Sequence, residues 1–511
     1  MSEETERRSF ITACLDFVER KGNKLPDPIT LFVILAIAVI GVSALLAAMG
    51  VSVQHPNGTT IAVESLLTTD NIRKMFTEMV KNFAAFPPLG LVLVTIIGIG
   101  LAEQSGYVNA SLKRIVTAVP KSLLSATLVF AGIMSNLAAD AGYVVLVPLG
   151  AVVFASVGRH PIAGLAAAFA GVSGGFSANL FITSLDPLLS GISQEAAQLL
   201  DPNYEVLASS NYYFMLASTL FLVAIGTWVT DKIVEPRLGK WEPPAGLKID
   251  ASIGDLKDSE KKALKWANIT FVLFCILVAF MTFPQGSVFR DAEGTLKPFF
   301  HSLVPLITVL FLICGLVYGI VAGSIKNDKD AAKMCGDQMA TMGSYIVLAF
   351  AAAQFIAYFK WSNLGLVVAI SGASFLEAVG LTGIPLLLGF IIVTSVVNIF
   401  IGSASAKWAI MGPVFVPMFM LMGYSPEIIQ NTYRIGDSVT NIISPLMPYF
   451  PIIIAFAQKY SPRVGLGTLV ATMLPYSMIF LVFWSIMLGI WFAFGLPLGP
   501  GAPILIPVPG Q

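Results

Sequence analysis

The stretch "SAKWAIMGPVFVPMFMLMGYSP" (405–426) decides the fold, because the first half of the chain contains a counterpart to it. The counterpart is "DAGYVVLVPLGAVVFASVGRHP" (140–161). The two stretches align without a gap and share a Pro, a Gly and a second Pro, in the pairs Pro148 and Pro413, Gly158 and Gly423, and Pro161 and Pro426. Flanking segments match loosely, Ser135-Asn136 with Val397-Asn398 and 177–187 with 439–448. This pattern predicts an internal repeat.

The composition predicts a helical membrane protein. Of the 511 residues, 56% are hydrophobic and 12% are charged, whereas about 25% of the residues of a soluble protein are charged. Many apolar runs approach the roughly 20 residues that a helix needs to cross a bilayer. The formal net charge is zero, which argues against a nucleic-acid partner. We therefore expect an all-α polytopic protein whose main surroundings are the lipid bilayer.

The apolar runs divide into continuous and interrupted segments. The clearest predicted spans are 28–49, 88–103, 122–137, 143–157, 212–230, 266–283, 302–323, 343–359, 385–403, 408–422 and 466–495. Segments 161–186, 364–380 and 426–458 are also apolar, but Gly, Ser, Asn and Pro interrupt them. Irregular backbone at membrane depth persists only where protein buries it or where it lines a watery cavity. We expect these three segments to be broken or re-entrant.

Lys and Arg concentrate in loops that are therefore predicted to be cytoplasmic. With these loops inside, the N-terminus is cytoplasmic, the C-terminus is external, and the turn at 159–160 lies opposite its partner at 424–425. The repeats are then inverted, a recurring design among secondary transporters. The predicted parts are a cytoplasmic segment 1–27, a first repeat 28–230, a cytoplasmic loop 231–265, a linking helix 266–283, a second repeat 302–495 and an external tail 496–511.

Polar residues inside the predicted membrane region are the candidates for function. A charge at the bilayer centre costs at least about 2.5–3.5 kcal/mol on the insertion scale, so it normally faces a cavity or a partner. The embedded polar set is Asn136, Asp140, Asn179, Asp186, Asn398, Ser403, Ser405, Lys407, Trp408, Arg434, Asp437 and Asn441. Most of these residues fall at corresponding places in the two repeats.

Arg434 and Asp437 are the central pair of this set. Arg434 can bind a substrate carboxylate through two parallel hydrogen bonds, or it can form a buried ion pair with Asp437 three residues later. Asp437 can bind Na⁺ or carry a coupled proton. Asn398 can add an amide oxygen, because hard cations prefer oxygen ligands, and Gly402 lets the backbone unwind. Alternatively, Asn398 bonds a neighbouring helix.

The remaining candidates keep two interpretations each. Trp408 can stack on an aromatic substrate or anchor the protein at the membrane interface. Asp186 can bond the substrate or cap a helix, and Asp140 can serve ion coupling or polar packing. Lys407 can extend to the inner surface of the membrane.

Other function classes find little support. The Gly-rich "GVSGGFS" (171–177) lacks the GK[ST] of a phosphate loop, and neither a Ser-His-Asp nor an HExxH pattern occurs. An enzyme is therefore not expected, and no repeat resembles an ion-channel filter. A ligand-sensing receptor would need a larger output domain than the loop 231–265. The four Cys and three His show no metal-type spacing.

At these residues the sequence resembles the AbgT family, the p-aminobenzoyl-glutamate transporters, over nearly its whole length. The stretches that carry the resemblance are "ERKGNKLPDPITLF" (19–32), "GRHPIAGLAAAFAGVSGGFSANL" (158–180), "LLSGIS" (188–193), "TDKIVEPRLG" (230–239), "AQFIAYFKWSNLG" (353–365), "WAIMGPVFVPMFMLMG" (408–423) and "GLPLGPG" (495–501).

The resemblance implies an architecture and a site. It implies a homodimer in which each protomer has about nine transmembrane helices and two re-entrant hairpins, with hairpin arms expected within 143–186 and 408–458. It implies a substrate region at Asp186, Ser405, Trp408, Pro426, Arg434, Asp437 and Pro445. It implies a Na⁺ site at Asn398, Gly402 and Asp437.

The expected function is ion-coupled secondary transport of p-aminobenzoyl-glutamate, or of a closely related aromatic carboxylate, across the inner membrane. Na⁺ or H⁺ is the expected coupling ion, and no organic cofactor is expected. The alternative is proton-driven export of sulfonamide antimetabolites, which share the p-aminobenzoyl shape.

Overall fold

The computed structural model describes residues 26–55, 58–137, 142–243, 256–444, 447, 449–462 and 464–508. These residues are mainly helical, and they include one small antiparallel pair of strands, Ser52–Gln54 and Thr60–Ala62. The α-helices are Pro28–Ala48, Thr69–Thr77, Met79–Ala84, Pro87–Gln104, Tyr107–Thr117, Leu124–Ser135, Val147–Ser156, Pro161–Phe169, Leu185–Ala197, Tyr212–Val229, Glu235–Leu238, Asp258–Phe280, Lys297–His301, Leu303–Ala322, Asp328–Ala340, Gly343–Trp361, Leu364–Ala378, Gly383–Phe400, Ala404–Met420, Pro426–Asn441, Phe450–Gln458 and Leu466–Ala493. Short π-helical turns adjoin three of them, at Gly142–Leu146, Ala170–Gly174 and Thr230–Val234, and a 3₁₀ turn covers Lys121–Leu123.

Eight of the described helices are long and apolar enough to cross a membrane. Helices suit this environment because they satisfy their backbone hydrogen bonds internally where no water is present. The eight are Pro28–Ala48, Pro87–Gln104, Tyr212–Leu238, Asp258–Phe280, Leu303–Ala322, Gly343–Trp361, Gly383–Phe400 and Leu466–Ala493. The prediction of an all-α polytopic membrane protein is confirmed.

The described parts of the first re-entrant hairpin are residues 121–137 and 142–156. Its first arm ends at Ser135, and its second arm returns from Gly142 to Ser156. Arg159, just beyond the second arm, donates from Nη1 to Ser125 Oγ at the start of the first arm, at 2.9 Å. The chain therefore enters the protein and leaves it on the same side.

The second re-entrant hairpin covers residues 383–420. Its arms are Gly383–Phe400 and Ala404–Met420. The backbone N–H of Gly383 donates to the hydroxyl of Tyr424, just beyond the second arm, at 2.6 Å. This hairpin also begins and ends on one side.

The helices that follow the two hairpins cross the protein, and both are interrupted. The first runs from 161 to 197 with a break at 175–184, and beyond it Tyr204 donates to Glu427 Oε2 at 3.0 Å. That contact puts the end of the first interrupted helix beside the start of the second, 426–458. Gly383–Phe400 is one of the eight long helices but serves as a hairpin arm, which leaves seven continuous crossings among the described residues. Counting each interrupted helix as one further crossing gives nine.

The predicted position of the hairpins is only half right. Segments 143–186 and 408–458 do contain the returning arm of each hairpin, but the first arms lie in 122–137 and 385–403, which the sequence presents as complete spans. An arm is as apolar as a span, so hydropathy does not separate them. The contacts between the two ends of each hairpin distinguish an arm from a span.

The turns after the hairpins, 157–160 and 421–425, confirm the repeat at atomic detail. Gly158 and Gly423 occupy the left-handed region, with φ of 79° and 85°, where a residue with a Cβ is strained. In both turns the backbone N–H of the next residue bonds the carbonyl five residues back, Arg159 to Phe154 at 2.9 Å and Tyr424 to Phe419 at 3.1 Å.

Different contacts hold the two turns. Arg159 in the first turn pairs with Asp231, at 2.6 Å, and with Glu235. The second turn instead forms hydrogen bonds with backbone atoms of the C-terminal tail. The tail contacts are Ser425 N to Ile504 O at 3.0 Å, Ser425 Oγ to Pro503 O at 2.6 Å and Ile506 N to Gly423 O at 2.9 Å.

Candidate functional site

The interruptions of the helices come together in the middle of the protein, at residues 136–137, 175–184, 401–403 and 442–444. Ser177 N donates to Ser438 Oγ at 3.2 Å, which joins the first interrupted helix to the second. Ser444 Oγ lies 3.4 Å from Asn398 O, which joins the second interrupted helix to the second hairpin. The two repeats therefore build one shared centre of unwound backbone.

The helix Pro426–Asn441 carries the charges of this centre. All 16 of its residues are buried, although its sequence, "PEIIQNTYRIGDSVTN", is largely polar. Glu427, Arg434 and Asp437 lie on it. Because an isolated buried charge is costly, each of these side chains requires a partner.

Arg434 pairs with Asp186, on the other repeat. Its Nη2 contacts Asp186 Oδ1, and both side chains are almost completely buried. Asp186 Oδ2 accepts from Thr183 N at 2.6 Å and from Thr183 Oγ1 at 3.0 Å. The predicted alternative, an ion pair of Arg434 with Asp437, is wrong. Asp186 faces Arg434, and its bonds to Thr183 lie at the start of its own helix, as the predicted capping role requires. Its bond to the substrate stays a prediction.

Asp437 pairs with Lys407. The ammonium Nζ lies 2.5 Å from Asp437 Oδ1, and the side-chain exposures are 0% and 1%. The same Nζ donates to Asn398 Oδ1. The prediction that Lys407 extends to the inner surface of the membrane is wrong, because the buried carboxylate of Asp437 holds its charge inside.

Asn398 ties the second hairpin to the second interrupted helix. Its Nδ2 donates to Asp437 O at 2.6 Å, to Thr440 Oγ1 at 2.8 Å and to Asn441 Oδ1 at 2.9 Å. Gly402, in the break between the hairpin arms, is exposed. Asn398 therefore makes the helix-to-helix bonds that the sequence offers as its alternative role, and its remaining oxygen faces Lys407.

Trp408 is fully buried between the two repeats. Its ring centroid lies 4.5 Å from that of Tyr433. Its indole Nε1 donates to Ser193 Oγ at 3.0 Å and to Leu189 O at 3.2 Å. One part of the indole is thus fixed by the first repeat, while its ring packs on the second.

The other predicted site residues lie at different distances from this centre. Ser405 is half-buried and its Oγ lies 3.1 Å from Ser403 Oγ, at the start of the returning hairpin arm. Pro426 begins the polar helix, eight residues before Arg434, which is about 12 Å along the helix axis. Pro445 and Asp140 lie outside the described residues.

Several buried polar atoms of this helix have no hydrogen-bond partner among the described residues. They are Arg434 Nε, Asp437 Oδ2 and Asn431 Nδ2. Buried polar groups are nearly always hydrogen-bonded, so an unpaired one calls for an explanation, such as a functional role or a bound water or ion. Two donors and one carboxylate oxygen thus lack hydrogen-bond partners among the described residues. The donors suit a ligand that carries acceptors, whereas the carboxylate oxygen suits a donor or a cation.

The sequence analysis does not predict two of the buried contacts of this helix. Glu427 bonds Tyr204, as described above, and Ser193 Oγ donates to Gln430 Oε1 at 2.6 Å beside the Trp408 indole. The signal that could find them is the polar helix itself, since Glu427 and Gln430 lie on it and face the first repeat.

The centre fits a monovalent cation in its chemistry, but a lysine occupies it. The carboxylate of Asp437 and the amide oxygen of Asn398 are hard oxygen ligands of the kind that Na⁺ takes. In this structure Lys407 Nζ contacts both oxygens. Within the described part of the chain, no group of three or more His, Cys, Asp and Glu could hold a metal ion.

The charged centre is closed to solvent in this conformation, with Arg434 and Asp437 exposed by only 3% and 1%. An apolar cavity of about 450 Å³ lies nearby and includes Leu180 and Phe181 of the first interruption. Neither Arg434 nor Asp437 lines that cavity. A ligand therefore reaches the charged centre only after the surrounding helices move.

Comparisons with known proteins agree with this architecture. The sequence model of the "AbgT putative transporter family" matches residues 13–506. The p-aminobenzoyl-glutamate transport protein of Escherichia coli K12 is 40% identical over 489 residues, which are 95% of this chain and 96% of that protein.

Two solved structures are similar over nearly their whole length. The YdaH transporter of Alcanivorax borkumensis is 45% identical with a TM-score of 0.89, and the match covers 93% of this chain and 100% of that one. Neisseria gonorrhoeae MtrF, from a class of antimetabolite efflux pumps, is 46% identical with a TM-score of 0.91, covering 96% and 100%. The inverted-repeat membrane fold is therefore that of these transporters, and the chain belongs to the AbgT family of transporters.

Proposed function

We propose that this protein is an ion-coupled secondary transporter that carries p-aminobenzoyl-glutamate, or a closely related aromatic carboxylate, across the inner membrane. The observation that carries the proposal is the buried Arg434 guanidinium, whose Nε has no partner among the described residues while its Nη2 contacts Asp186. A guanidinium binds a carboxylate best through two parallel N–H donors. The name of the E. coli relative supports the choice of substrate.

The substrate offers groups that match the centre. p-Aminobenzoyl-glutamate has an aromatic amide and two carboxylates. A carboxylate would accept from Arg434, and the ring would lie against Trp408 once helix movement opens the centre. Ser405, Pro426 and Pro445 complete the proposed substrate region.

The proposed coupling ion is Na⁺ or H⁺, and Asp437 is the group through which it would act. Asn398 and Gly402 complete the proposed Na⁺ ligands. A substrate anion and a coupling cation would then bind within one turn of the helix Pro426–Asn441. Electrostatic attraction between them would link their movements, which is what secondary transport requires.

The proposed membrane arrangement has a cytoplasmic N-terminus and an external C-terminus, because the Lys- and Arg-rich loops then lie inside. The proposed assembly is a homodimer, as the family resemblance implies.

The test is flux in sealed proteoliposomes, with labelled p-aminobenzoyl-glutamate and with Na⁺ and pH gradients imposed separately in both directions. We expect flux that follows one gradient and that Arg434→Ala abolishes. The matched control is Arg73→Ala, which removes an exposed arginine whose side-chain exposure is 67%. Equal flux in wild type and Arg434→Ala would contradict the assignment of Arg434.

A second candidate function is proton-driven export of sulfonamide antimetabolites. The similarity to MtrF, from a class of antimetabolite efflux pumps, favours it. The same vesicles separate the two candidates. Sulfonamide flux that follows a pH gradient, with no movement of p-aminobenzoyl-glutamate, would select the exporter, whereas binding without net flux of either compound would contradict both.

A further inference from the structure

Lys407 holds a position that a free cation would take. Its ammonium contacts Asp437 Oδ1 at 2.5 Å and also contacts Asn398 Oδ1. A lysine ammonium carries one positive charge and three N–H donors, and it has no acceptor. It therefore bonds the same two oxygens that Na⁺ would bind, with the same charge.

The backbone fixes this arrangement. Lys407 lies in the first turn of the returning hairpin arm, Ala404–Met420, whose N-cap is Ser403. Asn398 lies in the last turn of the preceding arm, Gly383–Phe400. The hairpin break thus folds the lysine back onto the asparagine nine residues earlier, and Asp437 faces both from the second interrupted helix.

Two monovalent cations do not fit here together. Asp437 is the carboxylate that pairs with Lys407, and Asp186, another acidic group of this centre, is paired with Arg434. A second positive charge beside Lys407 would meet repulsion that the buried surroundings screen poorly. One cation at a time is what the charges of the centre allow.

We propose that Lys407 is a tethered cation that competes with free Na⁺ for the Asn398–Asp437 site. Na⁺ binds there only when the Lys407 side chain leaves, so Lys407 sets the Na⁺ affinity of the protein. The role of this competition in transport rests on the proposed function. In transport, Na⁺ would act on the second hairpin by displacing the Lys407 side chain.

The test measures Na⁺ binding directly and uses no substrate. Purified wild-type protein and Lys407→Gln are titrated with NaCl, with choline chloride holding the ionic strength and with pH constant. Binding is followed by ²²Na⁺ retention and by the Na⁺-dependent rise in melting temperature, since a ligand of the folded state stabilises it. We expect the Na⁺ affinity of Lys407→Gln to be at least about tenfold higher, a factor that corresponds to 1.4 kcal/mol.

Matched variants make the result specific. Lys407→Arg keeps a cation in place, so it should gain no Na⁺ binding, and Lys407→Gln combined with Asp437→Asn should lose the gain. Lys407→Met keeps most of the side-chain volume and serves as the second neutral variant if Lys407→Gln does not fold.

Equal Na⁺ affinity in wild type and in the neutral variants would overturn the proposal, whether both bind Na⁺ or neither does. Because no substrate is present, the outcome is independent of the flux test. A protein that carries no p-aminobenzoyl-glutamate can still show the competition, and a protein that carries it can fail to show it.

Discussion

Arg434 of the second repeat and Asp186 of the first, 248 positions apart in the sequence, form a buried ion pair that joins the two halves of the protein. Asp437, only three residues from Arg434, pairs instead with Lys407. Two parallel charge pairs therefore cross the centre, one between the repeats and one between the second hairpin and the second interrupted helix.

The first prediction concerns the stability of the pair between the repeats. Asp186→Ala should lower the free energy of unfolding by about 3–5 kcal/mol, because it leaves the buried Arg434 charge without a partner. The measurement is thermal unfolding in detergent. The control is Asp70→Ala, which breaks the exposed pair with Arg73 and should cost less than about 1 kcal/mol. The double variant Asp186→Ala with Arg434→Ala should be less destabilised than the sum of the two single variants; strict additivity would contradict a direct pair.

The second prediction concerns Trp408. Trp408→Phe keeps an aromatic ring against Tyr433 but loses the indole donor to Ser193. If the ring contacts the substrate, flux of p-aminobenzoyl-glutamate should fall in the order wild type, Trp408→Phe, Trp408→Ala. The matched control is Trp266→Ala, at an indole that is 49% exposed on another helix. Equal flux in wild type, Trp408→Phe and Trp408→Ala would remove the stacking role.

The third prediction concerns Asp437. Asp437→Asn should abolish the dependence of flux on the driving ion, because the carboxylate is the proposed site of coupling. It should also destabilise the protein by about 3–5 kcal/mol, since it strands the Lys407 charge. Adding Lys407→Gln should restore part of that stability but not the ion dependence. Flux in folded Asp437→Asn that still follows the same gradient would reject the coupling role.

The fourth prediction concerns the turns after the hairpins. Gly158→Ala and Gly423→Ala each place a Cβ at positive φ, which costs roughly 1–2 kcal/mol. The built Cβ of Gly158 meets nothing within 4 Å, and that of Gly423 meets Ile506 O at 3.5 Å, an ordinary contact. Both variants should therefore lose similar stability, measured by melting temperature. Gly389→Ala is the control, because that glycine lies within a helix and its Cβ would also meet nothing within 4 Å. A loss confined to one of the two turns would argue against their equivalence.

The sequence predicts the fold class because apolar length and turn chemistry are local properties. The gap-free match of 140–161 with 405–426 corresponds to two turns with the same glycine conformation and the same backbone bond. The sequence does not predict the first arm of either hairpin, because Leu124–Ser135 and Gly383–Phe400 are as apolar as membrane-spanning helices. Only contacts between distant residues, such as Arg159 with Ser125, show where the chain turns back.

The residues of the charged centre are predictable, but their pairing is not. Charged residues are rare in the apolar segments, so the sequence identifies four of them as candidate site residues: Asp186, Lys407, Arg434 and Asp437. Spacing then favours Arg434 with Asp437, since they are one turn apart on a helix. The structure pairs each with a partner from a different segment, because hairpin and interrupted helix meet only in three dimensions.

Because different contacts hold the two turns, the two turns should tolerate different mutations. At the first turn the bonds come from the Arg159, Asp231 and Glu235 side chains, so replacing Arg159 alone removes the attachment. At the second turn the tail contributes the backbone atoms of Pro503, Ile504 and Ile506, which every residue type except proline provides in full. Exposed tail positions such as Pro503 and Leu505 should therefore tolerate many single replacements, whereas the buried Ile504 should not, and deletions should be tolerated at neither kind of position. A saturation screen would show neutral substitutions at the exposed positions of a segment that cannot be shortened.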